Sequence, residues 1–243
     1  MLRRLLAILI CLAPSMAPAA EAVVRDGGTL QLDGAIIRLD GIDAPESDQI
    51  CVDSYADPFT CGIAARDALS ALVNKRSVTC RDAGTDAASK RRLGVCTAAG
   101  DAQSLNQMLV RDGFALARGS AFKDEEAAAK DKHKGLWAGC FMAPDSFRRW
   151  DAKAALLGAA CRADKDKELR AALLPADPAM PPGCSIKGTY AKRARFTGNV
   201  GVYHLQTCRS YAAITRQNRW FCTEDDARAA GFRKAFNCRP KRK

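Results

Sequence analysis

Residues 26–47 read DGGTLQLDGAIIRLDGIDAPES and gather Arg38, Asp43 and Glu46 around one turn. These residue types suit hydrolysis of a phosphodiester, in which water attacks phosphorus in line while negative charge builds on the phosphoryl oxygens. An arginine such as Arg38, with a second arginine, can hold two phosphoryl oxygens through planar, charge-assisted forks, which a lysine does less well. Glu46 can orient or deprotonate the water. A hard cation held by Asp43 and the Ala44 carbonyl would bridge protein and phosphate, with Pro45 keeping Ala44 extended.

The elements that must position this turn read as a strand meander with a few helices. AVVRDG, TLQLDG and AIIRLDGI are short β-rich runs divided by Asp-Gly and Gly-Gly dipeptides, the signature of hairpins. CGIAARDALSALV and SLNQMLVRDG predict helices, the second with Ser104 as N-cap and Gly113 as its stop. KDEEAAAKDKHKG has acidic residues first and lysines last, matching a helix dipole. AKAALLGAACRADKDKELRAALL predicts a charged helical stretch, and ADPAMPPG (residues 176–183) a linker after it. Periodicity alone gives a small α+β domain.

The 243 residues suffice for one or two cores. The first twenty read as an export leader, with Arg3 and Arg4, an apolar run too short to span a bilayer, and small residues around Ala17, Ala19 and Ala20. No later segment is apolar enough for a membrane span, so a periplasmic or secreted protein is expected. Eleven cysteines include Cys11 in the leader, leaving ten, an even number that suits disulfides in an oxidising compartment. Cys51–Cys61 and Cys80–Cys96 each close a local loop, and parity adds Cys140–Cys161. No close CxxC pair of the kind typical of zinc sites occurs among them.

The net charge is +11, or +9 without the leader's arginines. Residues 184–243 carry +11 and residues 21–183 only −2. The footprint of a polyanion binder therefore lies in the tail, whose partner would be nucleic acid or an acidic polysaccharide. The alternative is a solubilising basic end, RPKRK. Nothing in the sequence fixes the oligomeric state.

In order along the chain, IRLDGIDAPES, RRLGVC, LVRDGFA and KGLWAG resemble the thermonuclease family, over roughly residues 22–142. The resemblance implies a staphylococcal-nuclease-like OB-fold, a five-stranded β-barrel with packed helices, and a weak calcium-dependent phosphodiesterase acting on DNA or RNA. It puts Arg38, Glu46 and Arg91 at catalytic positions and Asp43 and Ala44 at the calcium. Arg92 is the alternative to Arg91 after a one-residue slip, and a solvated basic turn the alternative to both. The family's second metal aspartate falls on Gly28, and Asp40, two residues beyond Arg38 on the same strand face, is a possible substitute ligand.

The tail, with IKG, YHLQTC and RWFCTEDDARAAGFRKA, resembles the small sunset module of exported proteins, including nuclease-like proteins named for succinoglycan biosynthesis. A zinc site of His204, Cys208, Cys222 and Cys238 competes there with two disulfides among Cys184, Cys208, Cys222 and Cys238, and the disulfides are preferred. Tyr203, Tyr211, Trp220 and Phe221 fit either base stacking or a module core. The domains expected are a leader (1–20), a thermonuclease-like OB-fold domain (21–150), a helical segment and Pro-rich linker (151–183) and a basic, Cys-rich module (184–243). Three functions compete: a weak exported nuclease, an impaired homologue that binds a polyanion, and an accessory protein of exopolysaccharide production.

Overall fold

The computed structural model describes residues 22–87, 90–191 and 198–238. The expected leader, Ser89 in the segment before Arg91, and the RPKRK end lie outside them. Asp-Gly and Gly-Gly turns divide the first run into β1 (Val23–Asp26), β2 (Thr29–Leu32) and β3 (Ala35–Leu39), an antiparallel meander in which Thr29 faces Arg38 and Leu30 faces Ile37. Two-residue β4 (Ile42–Asp43) follows, then β5 (Ile50–Val52) paired with β6 (Pro58–Thr60), and α1 (Cys61–Val73). The long hairpin β7 (Val78–Thr85) and β8 (Arg92–Ala98) completes a five-stranded sheet of order β1-β2-β3-β8-β7. Only the β3–β8 pairing in it is parallel, with Ile37 beside Arg92. This is the mixed α+β, five-stranded arrangement expected.

Helices cover the sheet. α1 buries Cys61, Ala65, Leu69 and Val73, the four-residue spacing of one helix face. Leu69 and Val73, together with Leu30, Ile37, Leu39, Val78, Leu105 and Leu109, fill the main core. α2 (Leu105–Arg111) starts where Ser104 accepts the Gln107 backbone N–H and stops at Gly113, whose φ of +77° ends the helix. Between them, Asn106 is fully buried and accepts the Cys96 N–H while donating to the Asp40 and Gly94 carbonyls, so it ties β3 to β8. β9 (Leu116–Ala117) pairs with β4, and α3 (Lys123–Asp131) has its acidic residues in the first turn.

The stretch expected to be helical from residue 152 is a correction. β10 (Phe141–Met142) leads into the short α4 (Pro144–Arg148), and β11 (Leu156–Leu157) returns to pair with β10. α-Helix forms only at α5 (Asp166–Leu173), after a single 3-10 turn at Ala163–Lys165. Gly158 explains the break: its φ is +107° and a Cβ there would lie 2.2 Å from the Gly139 carbonyl oxygen, so this backbone crosses the chain too closely for a helix.

The C-terminal residues build a second sheet from β12 (Ile186–Tyr190), β13 (Gly201–His204), β14 (Arg219–Phe221) and β15 (Phe232–Lys234), in the order β14-β12-β13-β15. α6 (Glu224–Ala229) opens with a capping box between Thr223 and Asp226. Tyr203, Phe221 and Phe232 are its core, which resolves the stacking-or-core alternative for Tyr203 and Phe221. Trp220 is also buried and donates from its indole N–H to the Pro178 carbonyl. Ten cysteines pair as Cys51–Cys61, Cys80–Cys96, Cys140–Cys161, Cys184–Cys222 and Cys208–Cys238. Cα separations in the first three are 5.5, 4.0 and 4.8 Å. The last two consume the thiols that a tail zinc site would need, and His204 Nδ1 instead meets the Ser210 hydroxyl at 2.8 Å.

Candidate active site

The turn after β4 is clamped from two sides. A Cβ on Gly62, in the first turn of α1, would lie 1.7 Å from the Glu46 carbonyl oxygen, so only glycine lets the helix press on the turn here. Gln49, fully buried, accepts the Glu46 N–H and donates to the Met142 carbonyl at 2.7 Å. That bond fixes the turn against β10 and therefore against α4, two residues further on.

The parallel β3–β8 register explains which arginine joins the site. It sets Arg92 beside Ile37, and strand alternation sends consecutive side chains to opposite faces. Arg91 lines the cleft with Arg38 and Glu46, whereas the exposed Arg92 meets Asp82 at 3.4 Å. Asp26, Gly28, Ala44 and Arg148 line the same cleft, and Asp43 joins it through its ion pairs. Asp40 does not: it lies in the turn beyond β3 and lines a separate surface hollow with Thr85 and Arg118. The strand ends before it, so the two-residue repeat that would carry it to the metal position is broken.

Every charged group in the cleft already has a partner. Arg38 Nη2 donates to Asp43 Oδ1 at 3.2 Å, and Arg148 Nη2 donates to Asp43 Oδ2 at 2.7 Å. The other fork of Arg148 donates to Glu46 Oε1 at 2.8 Å. Glu46 Oε2 faces Arg219 at 3.5 Å, and Arg219 forks onto both oxygens of Asp48 at 2.7 and 2.8 Å. The result is a string of six alternating charges, Arg38-Asp43-Arg148-Glu46-Arg219-Asp48, drawn from β3, β4, the turn after it, α4 and β14. Arg219 is fully buried and Asp48 nearly so, and Asp48 also accepts the Trp220 N–H. Separately, Arg91 donates to Asp226 of α6 at 3.1 Å.

Burial pushes the Glu46 carboxyl up, but the Arg148 and Arg219 guanidiniums outweigh it and hold the pKa below the usual carboxylate value. Glu46 is therefore ionised and a poor proton acceptor while both arginines stay in place. Asp226 moves the other way, up to about 6, chiefly through burial and then through the neighbouring Asp26 carboxylate. Asp26 is itself turned inward to accept the Gly28 N–H.

Does this donor set fit the calcium that the resemblance implies? Asp43, its principal expected ligand, has one oxygen on Arg38 and the other on Arg148, and position 28 has no side chain. Among the described residues no group of three or more acidic, histidine or cysteine side chains is placed to hold a metal. A divalent ion on Asp43 would stand against two guanidiniums, each unit-charge repulsion at 4 Å being roughly 4 kcal/mol at an effective dielectric near 20. The arrangement suits guanidinium groups and does not fit calcium.

Space in the cleft is also small. Its free volume is about 50 Å³, room for one or two waters and no nucleotide. Phe221 of β14, Cys222 just after it and Asp226 of α6 line it from the C-terminal side. A wider groove of about 540 Å³ lies alongside, lined by Asp43, Arg118, Arg148 and Arg149 on one side and Val200 and Ala230 on the other. Arg148 is the arginine that lines both.

Sequence reasoning brought together Arg38, Asp43, Ala44, Glu46 and Arg91. It missed Arg148, Arg219, Asp48 and Asp226. A signal existed in FRRW (147–150) and RWF (219–221), where arginines sit among aromatic residues that must be buried and so call for a buried acid.

Over 124 residues the chain is 33% identical to the succinoglycan biosynthesis protein ExoI of Rhizobium meliloti (strain 1021), a stretch amounting to 51% of this chain and 64% of that protein. The chain thus spans less than two thirds of the length of the relative it matches. The family model of the staphylococcal nuclease homologues matches residues 36–139, from the middle of β3 to just before β10. Arg38, Asp43, Glu46 and Arg91 all lie within that stretch, which is similar to the staphylococcal nuclease homologues.

Proposed function

We propose that this cleft is a nuclease-type phosphodiester site and that the protein is a slow phosphodiesterase acting on DNA or RNA. The observation that carries the reading is the convergence of Arg38, Arg91 and Glu46 on one cleft. Arg38 and Arg91 would fork onto the phosphoryl oxygens and Glu46 would take a proton from the attacking water. Slowness follows from the pairings: Arg91 must leave Asp226 and Glu46 must shed a guanidinium before either can act. No step is assigned to calcium, because the Asp43 oxygens are already taken. Five disulfides support export to an oxidising compartment, with residues 1–20 as the leader. The test is digestion of single-stranded DNA and RNA by purified protein, in calcium and in chelator, with Glu46→Gln as control. Hydrolysis equal in wild type and Glu46→Gln would remove the reading.

One observation favours a second reading, an impaired homologue that binds a polyanion or assists exopolysaccharide production. The described cleft is closed and internally neutralised, and residues 184–243 carry a net +11. Salt-sensitive binding of succinoglycan or DNA without hydrolysis of either nucleic acid would select it.

A further inference from the structure

We propose that Arg148 is the resident cation of this site, holding Asp43 and Glu46 together as a divalent ion would and offering its guanidinium to the phosphoryl group from the open groove. The phosphoryl part rests on the function proposed above; the placement of the cation does not.

Three observations carry it. Arg148 comes from α4, more than a hundred residues after the turn, yet its two fork nitrogens donate to a different carboxylate each, at 2.7 Å to Asp43 and 2.8 Å to Glu46. A cation that bridges two carboxylates of one turn does what a hard metal does: it cancels their mutual repulsion and fixes the distance between them. Second, Arg148 is held rather than draped over the surface. Its backbone carbonyl is 3.4 Å from the Tyr190 hydroxyl, its neighbour Trp150 packs on Tyr190 with ring centroids 5.4 Å apart, and Gln49 ties the strand before α4 to the turn. Third, Arg148 lines the narrow cleft and the 540 Å³ groove alike, so a group in the groove can reach it without entering the cleft. Arg118 and Arg149, both more than half exposed, line that groove as well, Arg149 paired at 2.8 Å with Asp145, which also lines it. The missing side chain at Gly28 fits the same picture, because a site whose cation is a guanidinium has less need of another carboxylate.

The experiment compares wild type, Arg148→Lys and Arg148→Gln by calorimetric melting in calcium chloride and in chelator, and by calorimetric titration with calcium chloride. Wild type and Arg148→Lys should melt at the same temperature with and without calcium. Arg148→Gln should melt lower in chelator, recover part of the loss in calcium, and bind calcium at least about tenfold more tightly than wild type. Should Arg148→Gln fail to fold, wild type still decides: calcium binding by wild type that disappears in Asp43→Asn overturns the proposal, and its absence supports it. Calcium blindness in all three chains would also overturn it, since vacating the position would then expose no cation site. A second arm measures binding of a short single-stranded DNA in chelator. Weakening of about tenfold in Arg148→Gln with retention in Arg148→Lys supports direct contact, and equal binding by all three refutes it. If no chain hydrolyses DNA or RNA while the calcium arm behaves as stated, the phosphodiesterase reading fails and the resident cation stands.

Discussion

Asp226→Asn should stabilise the protein at neutral pH, although it removes an ion pair. The Asp226 carboxyl is raised from 3.8 to about 6 by burial and by Asp26, with Glu46 adding to the rise and Arg91 and the Thr223 cap opposing it. An acid whose folded pKa lies above its unfolded value contributes stability that is complete below the unfolded value and lost as pH rises through the folded one. The window is therefore about 3.8 to 6. A shift of about two units at 1.36 kcal/mol each amounts to ~3 kcal/mol held against the charged form at neutral pH. The side chain is only 17% exposed, so solvent screening takes little from this figure. Asparagine imitates the neutral acid, keeps an oxygen for the Thr223 N–H, and has no charge to bury. Denaturant or thermal unfolding of both proteins at several pH values is the assay. The two should be equally stable near pH 4, and the variant ahead by up to about 3 kcal/mol at neutral pH, or roughly 2–4 °C in Tm per kcal/mol for a chain of this size. A difference that does not change with pH, or a variant less stable at neutral pH, would show that the Arg91 pairing outweighs burial and that the reasoning is wrong.

Arg91→Ala should lower phosphodiester hydrolysis by about a hundredfold, the usual cost of one group stabilising transition-state charge, while Arg92→Ala, which loses only an exposed contact with Asp82, should stay within a few-fold; equal losses in steady-state rate would return the one-residue slip. Asp48→Ala should cost about 3–5 kcal/mol in unfolding free energy, because it leaves the fully buried Arg219 without its forked partner, and a loss under about 1 kcal/mol would mean that water replaces the carboxylate. Gly28→Asp should fold, since a Cβ there would meet only Ala44 Cβ at 3.5 Å and Asp26 Oδ1 at 3.8 Å. Combined with Arg148→Gln it should bind calcium more tightly than Arg148→Gln alone by titration calorimetry, and equal affinities would show that the new carboxylate does not reach the vacated position.

What the sequence made legible was local. Hairpins announced by Asp-Gly and Gly-Gly, the Ser104 cap, the charge gradient of α3 and the order of the motifs from Arg38 to Trp137 each involve residues close in the chain or in a familiar order. The cysteine partners of the nuclease-like part were readable for the same reason. The helix expected from residue 152 failed because its composition favours helix while Gly158 and the strand pairing of Leu156 and Leu157 demand an extended crossing. FRRW and RWF could signal that Arg148 and Arg219 are buried but not which acids they meet, because the partners of these arginines and of Asp226 are more than a hundred positions away and only the packing of α4, β14 and α6 brings the opposite charges together. Gly28 read as a lost ligand; in the folded protein it is one part of a cleft whose cation comes from elsewhere in the chain.

The connectivity of the disulfides has a bearing on how the molecule is assembled. Three bridges lie within residues 51–161 and two within 184–238, with no bridge between these stretches. Oxidation can thus complete each half on its own, without a cystine from the other. Between the halves the contacts are non-covalent, among them the ion pairs of Arg219 with Asp48 and of Arg91 with Asp226 and the packing of Trp150 on Tyr190. The cleft is therefore built at a seam that no covalent cross-link holds closed.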